Sequence, residues 1–310
     1  MDKWIKKGLI YVPNQKHEWN QTHAQVPVVD CVNDEVWRIY FATRNLKSQS
    51  ATSYIEVEAN NPSNILYDYN DTILPFGKLG TFDESGIMPT CIVNHKGIKY
   101  LYYIGWMLRT AVPYHNSIGL AVSDDDGKSF KKMFEGPILT TTHNEPYFCG
   151  TAYVIIENGI WRMWYLSCTK WEIINNKPEA FYHIKYAESL DGINWKREGK
   201  VAIDFSDDDE AGLVSASIIR ENGKYKMWFG YRKGLNYRTD RNQSYKIGYA
   251  ESADGINWNR MDHLAGIELS EEGWDSQMIS YPYIVKGSSQ NFMFYNGNGF
   301  GASGFGYAVQ

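Results

Sequence analysis

The chain has 310 residues, with 31 Lys and Arg against 36 Asp and Glu, and its formal charge of −5 excludes the basic footprint of a nucleic-acid binder. Hydrophobic residues at 43 % and charged residues at 22 % exclude a disordered chain. No uncharged apolar run approaches the roughly 18 residues of a membrane span. The first residues, MDKWIKKGLIY, lack the apolar core of a leader segment, so a soluble, cytoplasmic protein is expected.

Aromatic residues make up 15 % of the chain, an excess that suits both the faces of β-sheets and the stacking of sugar rings. Four cysteines, Cys31, Cys91, Cys149 and Cys168, show no CxxC spacing, which predicts reduced, mostly buried thiols. His23, His115, His143 and His183 fall in different loops, so no metal site and no cofactor is expected.

In chain order, one pattern returns five times. Aromatic, alternating strands read VWRIYF, IKYLYY, IWRMWY, KYKMWF and QNFMFY, starting at residues 36, 98, 160, 224 and 290. A shorter strand precedes each, at 27–32, 89–93, 152–156, 215–220 and 282–285. Between the two, turns such as NHKG at 94–97 and ENG at 157–159 and 221–223 mark tight hairpins. A third strand leads into an Asp-Gly turn and a fourth, as in IKYAESLDGINW at 184–195 and IGYAESADGINW at 247–258. Weaker copies are IGLAVSDDDGKSF at 118–130 and FGYAV at 305–309.

Four antiparallel strands repeated five times predict an all-β fold, a five-bladed β-propeller in one domain over residues 1–310. The blades fall at approximately 14–75, 76–137, 138–201, 202–266 and 267–310. The last unit ends on its third strand. WIKKGLI at 4–10 matches WKREGKV at 195–201 with Trp and Gly in register, though no Asp-Gly turn precedes it, so residues 1–13 are expected to complete the fifth blade. The stretch at 123–130 resembles the Asp box of sialidases, and its Asp and Gly are expected to cap a turn on the face opposite the mouth.

In such a ring, the segments before each first strand and after each second strand surround one funnel. Collecting them gives His23, Gln25, Asp83, Glu84, Glu145, Glu210 and Asp275 before first strands. After second strands come Arg44, Trp106, Arg109, Lys170, Trp171, Arg232, Asn296 and Asn298. Carboxylates in an aromatic funnel suit glycosidic bond cleavage, in which one acid protonates the leaving oxygen and another activates water or attacks carbon. The preferred roles are Glu145 as general acid, Asp83 or Glu84 as base and Asp275 as orienter. The remaining residues are assigned to a carbohydrate or nucleotide-sugar ligand, with Arg44 and Arg232 facing an anionic group.

Five blades, Trp/Tyr-rich second strands and the YAESxDGINW repeat resemble the five-bladed propeller glycoside hydrolases: arabinanases, β-xylosidases, invertases and mannoside phosphorylases. DESGIMP at 83–89, NSIGLA at 116–121, EPYF at 145–148, GWDS at 273–276 and YNGNG at 295–299 look like a cytosolic branch from bacterial surface-polysaccharide gene clusters. The resemblance implies a glycosidase or transglycosidase of surface-polysaccharide metabolism. The alternatives are a non-catalytic carbohydrate-binding scaffold and a phosphate-dependent phosphorylase. One departure bears on these choices. Where those enzymes carry an Asp before Pro in blades one and two and a Glu in blade three, this chain reads Val26-Pro27, Met88-Pro89 and Gly150-Thr151.

Overall fold

A computed structural model of the chain describes residues 3–310. Met1 and Asp2, which open the stretch read above as lacking a leader and as part of the last blade, lie outside the described residues. Nearly all regular structure is β. The described residues hold two short helical turns, Asp262–Leu264 and Asn298–Gly301, and no helix long and apolar enough to cross a membrane.

Strand β1 (Ile5–Tyr11) precedes β2 (Thr22–Cys31), β3 (Val36–Arg44), β4 (Ser50–Glu58) and β5 (Asn61–Asp68), and the last four pair antiparallel in chain order. The same order follows in β6 (Gly86–His95), β7 (Ile98–Leu108), β8 (Tyr114–Ser123) and β9 (Lys131–Lys132). It recurs in β10 (Cys149–Glu157), β11 (Ile160–Ile174), β12 (Lys177–Ser189) and β13 (Val201–Ile203). A further copy is β14 (Glu210–Glu221), β15 (Lys224–Lys233), β16 (Lys246–Ser252) and β17 (Asn259–Arg260). Finally β18 (Ser280–Lys286), β19 (Asn291–Asn296) and β20 (Phe305–Val309) pair in order. The outer neighbour of β20 is β1, antiparallel, with Ile5 opposite Val309. The innermost strands β2, β6, β10, β14 and β18 each pack on the next, and β18 packs on β2, so they ring a common axis.

These innermost strands start earlier than the sequence suggests. Each carries a bulge, at Val26-Pro27, Thr90, Thr151, Ser215-Ala216 or Tyr281-Pro282, and pairing resumes on its far side. Gln25 then faces Ala42 across the ladder, and Met88, Gly150, Val214 and Ser280 face Ile104, Leu166, Gly230 and Asn296. A bulge breaks the two-residue alternation on which strand prediction rests, so the sequence pattern marks only the part of each strand beyond it. His23, Gln25 and Glu210 consequently lie inside strands rather than before them.

The repeated aromatics have a structural use. Tyr40 of β3 donates to the carbonyl of Gly127 at 2.6 Å, Tyr102 of β7 to Gly192 at 2.8 Å, and Trp164 of β11 to Gly255 at 3.0 Å. In each case the second strand of one unit is bonded to the Asp-Gly turn of the next. Those glycines sit at φ 74–80°, where a side chain is strained, and a Cβ on Gly192 would meet Trp161 and Tyr102. The turns themselves are closed by Asp125, Asp191 and Asp254, each accepting two backbone N–H groups. Trp228 has no such turn opposite it and donates to Ala265 at 3.2 Å, while Trp4 packs edge-on against it at 5.6 Å. Among the cysteines Cys91, Cys149 and Cys168 are buried, Cys31 is exposed, and all four are free thiols.

Candidate functional site

Four of the acids expected at the funnel, Asp83, Glu145, Glu210 and Asp275, bond back into their own units. Each is held by a hydroxyl of the second strand or of the preceding loop and by a cation of the outer strands. Asp83, buried, accepts from Tyr103 at 3.1 Å and pairs with Lys132 at 2.6 Å. Asp275 accepts from Tyr295 at 2.9 Å and pairs with Lys6 at 2.7 Å. Glu210 holds Arg260 by two bonds of 2.6 and 2.8 Å and also accepts from Ser206. In the first unit the corresponding site is neutral, where Asn20 bonds Tyr11 and Thr43.

Lys6, Lys132, Arg197 and Arg260 each stand two residues after an aromatic, Trp4, Phe130, Trp195 and Trp258. That spacing was present in the sequence and is the signal by which these ion pairs could have been found.

Glu145 departs from its counterparts. Its oxygens accept from Tyr165 at 3.0 and 3.1 Å and from Ser167 at 3.1 Å, but its cations, Lys185 and Arg197, stand off at 3.5 and 3.6 Å. It keeps 8 % exposure where Asp83, Glu210 and Asp275 keep 1–2 %. Glu84 is half-buried and outside any ion pair among the described residues; its Oε2 accepts from the Gly80 N–H at 2.6 Å.

Around the axis itself the bulges place Val26, Thr151, Ser215 and Tyr281 at φ between 26 and 55°, left-handed values that cost energy for residues other than glycine. This column holds no carboxylate. Val26 N–H is received by Asn296, and Ser215 N–H by Thr151, across unit boundaries. The Nδ2 of Asn296 and the Oγ of Ser280 are buried without a partner.

Toward units three to five the mouth is filled. Phe148, Tyr182, Tyr237, Tyr245 and Met278 form a buried cluster on which Tyr114, Trp171, Tyr281 and Phe300 pack. Arg232, expected to face a ligand, is instead 1 % exposed inside this cluster. Its donors go to Tyr182, Tyr245 and the carbonyls of Ala180 and Lys233, and Tyr237 lies 3.9 Å from its guanidinium. A strand-end arginine reads the same in sequence whether solvent or tyrosines surround it. Nearby, Glu179 accepts from Tyr237 at 3.1 Å and pairs with Arg238, a buried carboxylate the sequence did not mark.

Several other expected ligand residues are likewise committed. Asn298 binds the backbone of Gly273, Gln277 and Met278, and Trp171 packs on Tyr114 and Phe148. Lys170 pairs with Glu172 at 2.5 Å and lies over Phe181, whereas Trp106 commits only its indole N–H, to Ser50 at 2.7 Å, and its ring stays half-buried.

The side of units one and two differs. Arg44 is half-buried; its nearest bond is a 3.4 Å contact to Gln25, it has no carboxylate within 4.0 Å among the described residues, and burial lowers its pKa. His23 is pushed down to about 4 by burial, with Arg44 adding to the shift. His115 is also lowered, by burial and by exposed Arg109. Trp106 and Asn116 pair across β7 and β8 beside them, both half-buried. The described residues contain no group of three His, Cys, Asp or Glu able to hold a metal ion.

Ring, units and mouth together define the fold of the propeller glycoside hydrolases. A solved structure described as "Glycoside hydrolase" superposes with a TM-score of 0.74 at 18 % identity, covering 99 % of this chain and 91 % of that one. A thermostable family-43 glycoside hydrolase gives 0.65 at 18 %, covering 93 % and 88 %. A structure from work on "the GH130 family of mannoside phosphorylases" gives 0.70 at 15 %, covering 99 % and 93 %. No family model matches the sequence. The chain belongs to the family of two Mycobacterium tuberculosis proteins, Uncharacterized protein MT1551 (strain CDC 1551 / Oshkosh) and Uncharacterized protein Rv1502 (strain ATCC 25618 / H37Rv). It is 34 % identical to each over 306 residues, covering 99 % of this chain and 98 % of theirs.

Proposed function

We propose that the protein is a single-domain, five-bladed propeller, closed by β1, that acts on a glycosidic bond of a carbohydrate carrying a carboxylate or phosphate. The substrate enters on the side of blades one and two. Its anion is received by Arg44, the half-buried guanidinium with no carboxylate of its own. His23, Gln25, Trp106 and Asn116 line the same side and suit hydroxyls and a ring face.

Glu145 is assigned as the general acid and Glu84 as the second carboxylate. The observation that carries this assignment is the contrast among the four repeat-related acids: three are tightly paired and sealed, while Glu145 keeps loose cations and residual exposure. Asp83, Glu210 and Asp275 are read as clamps that lock inner to outer strands. The resemblance noted above supports a place in surface-polysaccharide metabolism, with a nucleotide-sugar or an acidic glycan as ligand.

The test is turnover on a panel of neutral and acidic aryl glycosides and sugar nucleotides, with and without inorganic phosphate. Glu145→Gln keeps shape and removes the titrating proton, so a loss of about 100- to 10,000-fold is expected while the protein stays folded. Wild-type turnover in this variant refutes the assignment, and a strict requirement for phosphate identifies a phosphorylase. The carboxylate-free column at the axis favours a second reading, a propeller that binds its glycan without cleaving it. Tight binding with no turnover by the wild-type protein would establish that reading.

A further inference from the structure

A second cleft lies away from the mouth, where β1 meets the unit of β14–β17. It has a volume of about 710 Å³, within the usual range for small-molecule sites, and is lined by Trp4, Lys3, Tyr231, Arg241, Lys246 and the connector 262–269. We propose that this cleft is a binding site for a small anionic sugar, separate from the funnel and independent of the reading above.

The charges point to an anion. Arg241 and Lys246 are half-buried, and neither has a carboxylate within 4.0 Å among the described residues. Arg241 makes one bond, to the carbonyl of Ser270 at 3.3 Å, which leaves most of its guanidinium donors open. Lys3 is exposed at the edge. On the acidic side, Asp262 is taken by Arg260, leaving exposed Glu268 as the opposing charge. Lys6 is already held by Asp275 and Ser270.

A second observation is independent of charge. Trp4 is 5 % exposed, and its indole N–H is buried without an acceptor. Its repeat counterparts are satisfied, since Trp195 donates to Gly192 at 3.2 Å and Trp258 to Gly255 at 3.0 Å. A buried donor of this kind is rare in folded proteins, and here it belongs to a residue lining a cleft with two uncompensated cations. A phosphate or carboxylate oxygen on a sugar would accept from Arg241 and Lys246, and the sugar would lie against Trp4, whose N–H, sealed from solvent, reaches a hydroxyl or ring oxygen only with a shift of the indole. Such a ligand would bridge β1 to the neighbouring unit, so binding would also stabilise the folded protein.

The full-length protein is titrated by calorimetry with glucose 6-phosphate, glucuronate, inorganic phosphate and glucose, and the indole N–H signals are followed by NMR. Trp4→Phe identifies the Trp4 signal by its loss. The expected result is binding of the phosphorylated or the carboxylated sugar, with the two arms showing which anion is preferred, a shift of the Trp4 signal and a raised Tm. Arg241→Ala with Lys246→Ala should weaken binding at least about tenfold without lowering the unliganded Tm, and Glu145→Gln should leave it unchanged. Glucose binding as well as the acidic sugars, an unmoved Trp4 signal, unweakened binding in the double variant, or no binding by any anion would each overturn the proposal.

Discussion

The sharpest test of the clamp interpretation is Arg260→Met. In the folded protein Glu210 is sealed, and Arg260, 15 % exposed, supplies two of its bonds at 2.6 and 2.8 Å. Without that cation the carboxylate keeps only Ser206, in a place water does not reach. Breaking a buried pair from one side typically costs about 3–5 kcal/mol, since the remaining charge is stranded. With an unfolding entropy of about 2.1 cal/mol/K per residue, 310 residues give about 0.65 kcal/mol per kelvin, so Tm should fall by about 5–8 °C. Loss of the ring contacts of Arg260 with Phe229 and Tyr231, both at 5.2 Å, acts in the same direction. Adding Glu210→Gln removes the stranded charge and should recover a good part of the loss. Calorimetric melting at pH 7 and one fixed scan rate provides the comparison. A single variant within about 1 °C of wild type, or a double variant no more stable than the single, would refute the clamp.

Two further outcomes are expected. Deleting residues 1–12 takes Trp4 from Trp228 and Tyr11 from Phe41. Burial of the two rings alone is worth about 3–6 kcal/mol, or about 5–9 °C of Tm, so an unchanged melting temperature would mean that β1 contributes nothing to closure. For His23, whose pKa is about 4 in the folded state against 6.5 unfolded, the unfolded chain binds more protons between these values. Its contribution to stability is therefore complete above pH 6.5 and lost as pH falls through 4. An NMR titration of its imidazole centred near 6.5 would show that it is not buried beside Arg44.

The strand pattern was legible because it is repeated: five aromatic strands and the Asp-Gly turns fix which segments pair. Bulges were not, since Val26, Thr151, Ser215 and Tyr281 carry no glycine to announce a left-handed backbone. At the site, position along the chain was readable but direction was not. Asp83, Glu145, Glu210 and Asp275 do precede the innermost strands, yet they bond back into their own units, and the deciding partners Lys132, Arg197, Arg260 and Lys6 lie 50 residues or more away in three of the four units. Arg44 and Arg232 hold equivalent places near the ends of β3 and β15 and meet opposite fates, because Tyr182 and Tyr245 surround only the second.

The pairing of β1 with β20 also imposes an order in time. Of the described strands β1 emerges earliest during synthesis and its partner latest, so at roughly 5–20 residues per second the strand waits about 15–60 s for the edge it will cover. Throughout that interval it is an unpaired strand able to add to any open sheet, including one on another nascent chain. Its sequence, IKKGLIY, places Lys6, Lys7 and Gly8 in the middle of an otherwise apolar segment. Adjacent charges and a glycine discourage stacking with a like strand. Only in the finished ring does Lys6 acquire Asp275, so the residue that keeps the waiting strand apart becomes the one that fastens it.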